Sequence, residues 1–495
     1  MYTSTNATWK RILVLLLAAM TVLPACGNSD TPDTTDTTAN TSTEVAETET
    51  ELTTALPDTD WEGREFRVLG QTDAEGYAQF STHEIDAEEL NGEALNDAVF
   101  NRNTTLEDRY NVVIVANEES HRAPDTLTKL VAAGEDLYHT TFVMQNQVGS
   151  LVLKGNLQEM TELPYIDYAM PWWNEDVNEQ LSIANKLYFT TSDFSLSDKQ
   201  RVNVLMYNTD MIKDFGLPNP IALIREGTWD IDTMTEWCET VSADLDGDGQ
   251  MTDKDRYGLT MDSYNAFKTF TYASGGRIID KDSDDLPIIS MNSEAMLNAI
   301  DKVVNLTCRE YSLFCNDFEG KVDYSYWSVA SNVFQAGNAL FFNGFTHSLA
   351  SNSDSEINYN VIPYPKMNVA QEKYYTLSDL FAMFFAIPIT CAENDFAAFM
   401  LEALSYESTD TTLYTYYDIS CKRKYMYDET GPEMLDLIFS GIVYDPALIY
   451  GWGELNNIIA DTIPKKKENV FSSTYASKEK AALSAMNKTI EQFTE

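Results

Sequence analysis

Histidine is scarce in this chain: His83, His121, His139 and His347 are the four present in 495 residues, and no two stand at a metal-ligand interval. There is also no Cys-x-x-Cys pair, so a zinc centre or a histidine-based catalytic site has little to build on. Basic residues are few, 33 Lys and Arg against 78 Asp and Glu, for a net charge of −45. That balance excludes nucleic acid as a partner, because phosphates need cations to neutralise them. It equally excludes electrostatic adhesion to anionic lipid. No Ser-centred elbow, Gly-rich phosphate loop or short-period repeat is present, which removes several enzyme classes and a solenoid. Of the six cysteines, Cys238, Cys308, Cys315, Cys391 and Cys421 come after residue 26. An odd number leaves at least one unpaired. Cys308 and Cys315 are close enough in sequence to bridge, but spacing alone does not establish a disulfide. Cys238, beside Trp237 in a helical pattern, reads as core.

Long apolar runs are also missing, except near the start. Lys10 and Arg11 precede the apolar stretch Ile12 to Ala19, too short for a spanning helix of about 20 residues. It reads as a secretory signal over residues 1–25. It closes on Leu23-Pro24-Ala25-Cys26-Gly27, which resembles a bacterial lipobox. That resemblance implies a mature N-terminus at Cys26 carrying acyl chains; the alternative is an ordinary signal with a chance cysteine. Asn28 to Asp60 is rich in Thr, Asp, Glu and Ala and holds no Lys, Arg or aromatic residue. It buries too little apolar surface to offset its ordering entropy, so residues 26–57 read as a tether.

From Trp61 onward the chain runs for about 435 residues, more than one simple core accommodates and suited to two or more lobes. Aromatics make up 12% of the chain and must fill cores or line a ligand site. Strand and helix patterns alternate: Glu65 to Gly70, a helix with Leu95, Val99, Leu106 and Tyr110 near one face, then Asn111 to Val115. A helix over Asp125 to Ala133 and a strand over Thr140 to Met144 come next. This order predicts a parallel sheet flanked by helices, with ligands at the carboxyl ends of strands, where Gln71 and Gln145 fall. A second set predicts strands at Val202 to Tyr207, Tyr257 to Thr260, Ala339 to Phe342 and Tyr359 to Ile362, with a helix over Trp229 to Ala243.

Several segments in this order resemble one family. They are Lys186-Leu187-Tyr188-Phe189, Met206-Tyr207-Asn208, Gly216 to Pro218 and Gly227-Thr228-Trp229-Asp230. Further along stand Tyr257-Gly258-Leu259, Gly337 to Phe342, Asn360 to Lys366, Ile387-Pro388 and Gly451-Trp452-Gly453. Together they resemble the bacterial extracellular solute-binding proteins of family 1, the sugar-type substrate-binding lipoproteins of ABC importers. The resemblance implies an α/β, two-lobed periplasmic-binding-protein-like fold, each lobe a mainly parallel sheet flanked by helices, with the ligand cleft between. It implies lobe 1 from 58–192 plus 375–425 and lobe 2 from 193–374 plus 426–495. Crossings are expected near Thr190 to Phe194, near Tyr375 to Asp379 and between Cys421 and Pro432. Closure is then a hinge motion. The implied role is capture of a small polar solute, most readily a mono- or oligosaccharide, by a monomer that delivers it to ABC permease subunits at the outer face of the membrane. Rivals are a secreted glycoside hydrolase, which needs paired carboxylates, and a polysaccharide-docking lipoprotein.

Sugar recognition combines aromatic faces with planar carboxylates and amides. On that basis the candidates are Gln71, Gln145, Asp193, Asp262, Tyr264, Asn343, Phe345, His347 and Trp452. Trp452 suits a pocket or a core equally, and Asp193 also suits a helix cap. Pro171-Trp172-Trp173-Asn174 reads sooner as lobe packing than as a platform, and Tyr324, Tyr326 and Trp327 pose the same choice. The sharpest local motif is Asp244-x-Asp246-x-Asp248-Gly249-Gln250, closed by Asp255 at the twelfth position. It fits a calcium loop of carboxylates and a backbone carbonyl from Gln250, with a strand rather than a helix after it. The alternative is a solvated acidic turn.

Overall fold

Phe66 and Val68 alternate with Leu69 along the first strand, and all three are buried, the mark of a strand covered on both faces. The computed structural model describes residues 53–72, 82–119, 123–351, 357–417 and 430–494. The leader, Cys26, the tether up to residue 52, His121, Cys421 and the expected third crossing through residue 429 lie outside the described residues. Met1–Ala55 and Leu56–Glu495 are separate units, and both main sheets belong to the second.

In the first sheet, Arg64–Gln71 lies between Val112–Glu119 and Thr140–Met144, parallel to both, with Leu69 beside Thr141. The helices Ala94–Tyr110 and Ala123–Ala133 make the two crossovers. The fourth strand, Met383–Ala386, arrives from much later in the chain and pairs antiparallel, Phe385 beside Phe142. Its four apolar residues carry no period that separates strand from helix, so the sequence pattern does not reveal it. Phe66, Phe142, Phe385 and Phe399 pack in one core with Trp172 and Trp173. Both indoles donate to one buried carboxylate, Trp172 to Glu402 Oε1 at 3.0 Å and Trp173 to Oε2 at 2.8 Å. The Trp172-Trp173 pair therefore builds the lobe and offers no platform to a ligand.

The second sheet runs Tyr359–Ile362, Asn203–Asn208, Ala339–Phe345, Tyr257–Met261, Ser312–Phe314. Its first two pairings are antiparallel and its last two parallel, so it is evenly mixed where the pattern predicts a mainly parallel sheet. Asn203–Asn208 enters from the first crossing and lies between two strands from much later in the chain, so no single βαβ unit fixes its direction. Behind this sheet Trp229, Trp237 and Phe341 stack, and Trp229 Nε1 donates to the Pro363 carbonyl at 3.1 Å. Cys238 belongs to this core, fully buried, and burial pushes its thiol pKa up. Cys308, Cys315 and Cys391 are also free thiols.

Two segments join the sheets beside each other. Thr190 bridges Phe385 in the first sheet, and Val202, next to the second, bridges Ser378. Thr376–Leu377 pairs in parallel with Ile442–Val443, a third segment. Arg201 and Asp379 form a buried ion pair where the first two meet.

Gly258 shows how tightly the second lobe is built. A Cβ there would lie 2.2 Å from Cys238 Cα, so the helix Ile231–Val241 rests directly on the strand. Gly258→Ala is expected to destabilise the protein by about 1–3 kcal/mol through overpacking. Denaturant unfolding measures this, and an unchanged midpoint would contradict the close approach.

Candidate functional site

A cavity of about 330 Å³ opens at the carboxyl end of the second sheet. Strand Tyr257–Met261 ends at Asp262, which caps the helix Ser263–Ala273 by accepting the Asn265 amide on Oδ1 at 2.7 Å. Strand Ala339–Phe345 brings Asn343 and Phe345 to the same wall, and Asn265, Ser331, Gln335 and Ser348 add to its polar lining. Asn343 is 3% exposed and its Oδ1 has no hydrogen-bond partner. A buried acceptor left this way costs free energy until something donates to it. At the rim, Trp327 is 55% exposed and lines the cavity. Tyr326 stands against it, ring centroids 4.8 Å apart. A large aromatic held in water beside convergent amides is the arrangement that stacks on a sugar face.

Behind the wall sits a buried charge cluster. Lys268 is 1% exposed, with its ammonium 4.8 Å from the Tyr264 ring centroid and 3.5 Å from Asn265 Oδ1. Burial draws its pKa down to about 8 against the opposing pull of Asp379 and Asp262. The same burial raises Asp262 and Tyr264, with Asp379 adding to both. Arg201 lies over the rings of Phe345 at 5.8 Å and Phe381 at 5.6 Å. His347 stacks on Phe345 at 5.4 Å, and its Nδ1 lies 3.2 Å from the Gln200 carbonyl. Burial and then Arg201 push its pKa down to about 4, so near pH 7 it is neutral and Nδ1–H is the donor. His347 thus fastens the first crossing and is not part of the cavity lining.

The structure brings Asp262, Asn343 and Phe345 together on one wall, with Tyr264 and His347 behind it. Gln71 and Gln145 stand at the carboxyl ends of first-sheet strands and Asp193 in the first crossing, and none of the three lines this cavity. Gln71 is fully buried at the end of its strand, and neither carboxamide atom has a partner. The Thr82 loop packs so closely there that a Cβ on Gly70 would lie 2.4 Å from Thr82 Oγ1. Gln145 Nε2 donates to Ser378 Oγ at 3.1 Å, tying the first sheet to the second crossing. Asp193 caps no helix. It accepts from Thr409 Oγ1 at 2.8 Å, in a π-helical turn, and burial pushes its pKa up to about 7. Trp452 is 2% exposed, stacks on Tyr450 at 5.3 Å and donates to Thr489 Oγ1 at 2.9 Å. Of the two readings open for it, the structure gives the core, because the helix Phe471–Thr494 covers it.

Sequence reasoning missed Arg201, Lys268, Asn265 and Asp379. A signal existed for Lys268: it is the one charge in the otherwise uncharged helix Ser263–Ala273. For the Arg201–Asp379 pair there was none, since the partners stand 178 residues apart.

At the acidic loop, carboxylate oxygens of Asp244, Asp246 and Asp255 lie within 4.8 Å of one another. Asp244 accepts the amides of Gly247 and Gly249, both at 2.7 Å, and those glycines have φ of +74° and +83°, the left-handed backbone that favours glycine. Asp248 falls outside the cluster and accepts the Gln250 amide at 2.7 Å. Asp255, 1% exposed, accepts from Leu245 and Thr252. Asp244, Asp246 and Asp255 thus offer carboxylate oxygens close together, the kind of donor a hard cation takes.

A family model described as "Bacterial extracellular solute-binding protein" matches residues 101–417, well over half the chain. The chain belongs to the bacterial extracellular solute-binding proteins. No curated protein matches its sequence. Among solved structures, a cyclo/maltodextrin-binding protein complexed with maltotetraose superposes with a TM-score of 0.55 at 13% identity. The alignment covers 86% of this chain and 97% of that one. A sugar transporter from Rhizobium etli in an open conformation gives 0.55 at 14% identity, covering 86% and 99%. An ABC transporter solute-binding protein from Thermotoga lettingae bound with α-D-tagatose gives 0.52 at 15% identity, covering 86% and 100%. At such identities the likeness establishes the two-lobed fold. Among the described residues no helix is long and apolar enough to cross a membrane.

Proposed function

We propose that this solute-binding protein captures a mono- or oligosaccharide in the cleft and presents it to the permease subunits of an ABC importer. The observation that carries this reading is the exposed Trp327 beside the polar wall of Asp262, Asn265 and Asn343. Structural relatives complexed with maltotetraose and α-D-tagatose support the ligand class. Gln71 and Gln145 supply amides from the facing lobe, and Asp193 a carboxylate at the crossing. The protein acts by binding, as a monomer. Asp262 is the one acid among the described lining residues, whereas glycoside hydrolysis uses two flanking the bond. The lobes are taken as 58–192 with 375–425 and 193–374 with 426–495; the first main sheet draws its strands from 58–192 and 375–425 and the second from 193–374, which supports that part of the division.

We further propose that residues 1–25 are a signal, that Cys26 carries the lipid anchor, and that Asp244, Asp246 and Asp255 hold a structural calcium ion. The lipobox-like segment supports the first two, and the all-oxygen cluster the third.

The domain from Thr54 onward, melted against a sugar panel that includes maltotetraose and tagatose, is expected to gain stability from one sugar class. The gain is about 2.7 kcal/mol at a hundredfold excess over Kd. Trp327→Ala should weaken that sugar by about 0.5–1.5 kcal/mol, roughly two- to tenfold in Kd. Sugar turnover, or binding of polymer alone, would sink the importer reading. Calcium should raise the melting temperature of the wild-type domain and not of Asp244→Asn; equal responses would remove the metal assignment. Full-length protein made in a bacterial host should fractionate with membranes, and Cys26→Ser should release it to the soluble fraction. Retention of the variant would contradict the anchor.

A further inference from the structure

Asp262 carries the one charge among the described residues that line the cavity. Cys315, the other titratable group there, is a neutral thiol, because burial pushes its pKa up to about 12. Asp317, whose charge reaches Cys315, is paired with Lys467 at 2.6 Å. His347, stacked on Phe345, is neutral near pH 7, since burial and then Arg201 draw its pKa down to about 4. A ligand in the cavity therefore meets a carboxylate and, on the same wall, the Asn343 Oδ1 that has no hydrogen-bond partner. Both are acceptors, and no Lys or Arg stands among them.

That carboxylate is not alone. Lys268 lies in the helix that Asp262 caps, 1% exposed, with its ammonium 3.5 Å from the Asn265 Oδ1 of the cavity lining. Burial is the larger influence on both groups, drawing Lys268 down to about 8 and Asp262 up, and each charge opposes that shift in the other. Asp379 acts on both as well, but its own charge is balanced by the buried pair with Arg201. Two cations thus stand against two acids at this wall, and the sum near pH 7 is zero. A proton passed from Lys268 to Asp262 leaves that sum unchanged. In buried surroundings an unbalanced charge is poorly screened and costly. A ligand that brings a net charge creates such an imbalance. One that brings hydroxyl groups does not, and hydroxyls donate to both acceptors.

We infer that the Asp262–Lys268 pair sets the charge class of the sugar, admitting uncharged rings and turning away both uronates and amino sugars. This rests on the reading of the cavity as a sugar site. Loss of either partner shifts the class in a direction fixed by the charge left behind. Lys268→Met leaves the wall one charge negative and favours an amino sugar. Asp262→Asn leaves it one charge positive and favours a uronate, while its carboxamide oxygen still caps the helix.

The test is calorimetry near pH 7 on the wild-type protein and these two variants. The probes are glucose, glucosamine and glucuronate, the matching galactose series, and maltotetraose as a longer neutral sugar. The wild type should bind a neutral sugar about tenfold or more tightly than its charged counterparts. Lys268→Met should gain affinity for the amino sugar relative to the neutral one, and Asp262→Asn for the uronate. A wild type that prefers a charged ring would overturn the inference, as would two folded variants that keep the wild-type ranking. If Lys268→Met fails to fold, Asp262→Asn, which keeps the cap, decides alone. If none of these sugars binds any of the three proteins, the sugar reading is what fails. The Asp262 carboxyl titration, followed by carbon NMR, then decides the pair: it should move up in Lys268→Met, and an unmoved titration would overturn the pairing.

Discussion

The ion pair between Arg201 and Asp379 is the contact on which the rest of the arrangement turns. Their side chains are 6% and 1% exposed, and the Asp379 amide also donates to the Arg201 carbonyl at 2.8 Å. Two segments that cross between lobes are thus joined by backbone and by charge at one point. Removing one partner of such a buried pair leaves an uncompensated charge, a loss of about 3–5 kcal/mol. The guanidinium lies over Phe345 on the cavity wall and over Phe381, in the segment leading to the first sheet's last strand. The junction of the crossings and the cavity wall share the same cation.

Around that pair, the cleft's cations are already engaged. Lys199 is bonded to Asp198 at 2.6 Å, Arg201 to Asp379, and Lys268 lies between Asp262 and Asp379 in a site that lowers its pKa. The polar side chains lining the cavity are neutral or acidic, among them the amide of Asn343 and the carboxyl of Asp262. For the sugar proposed above, hydroxyl groups would donate to both kinds of acceptor and the aromatic rim would cover an apolar ring face.

Much of the fold was legible. Strands such as Glu65 to Gly70 and Thr140 to Met144 announce themselves through short runs of apolar and β-branched residues, and the intervening helices through their apolar faces. Asp262, Asn343 and Phe345 were legible for a simple reason. Each lies at the carboxyl end of a recognisable strand, where an α/β sheet leaves side chains facing a crevice. Trp452 stood between pocket and core because a Gly-flanked tryptophan looks the same in both; the helix that covers it begins about 20 residues later. The Trp172-Trp173 pair needed Glu402, some 230 residues away, before packing could be told from display.

The sequence by itself determined the acidic, histidine-poor character, the α/β alternation, the two-sheet division and the acidic loop, because each depends on neighbours within about one element. Tertiary structure alone decided the mixed pairing of the second sheet, the Arg201–Asp379 junction and the burial of Lys268. Those depend on which distant segments a fold brings side by side, and local periodicity carries no record of that.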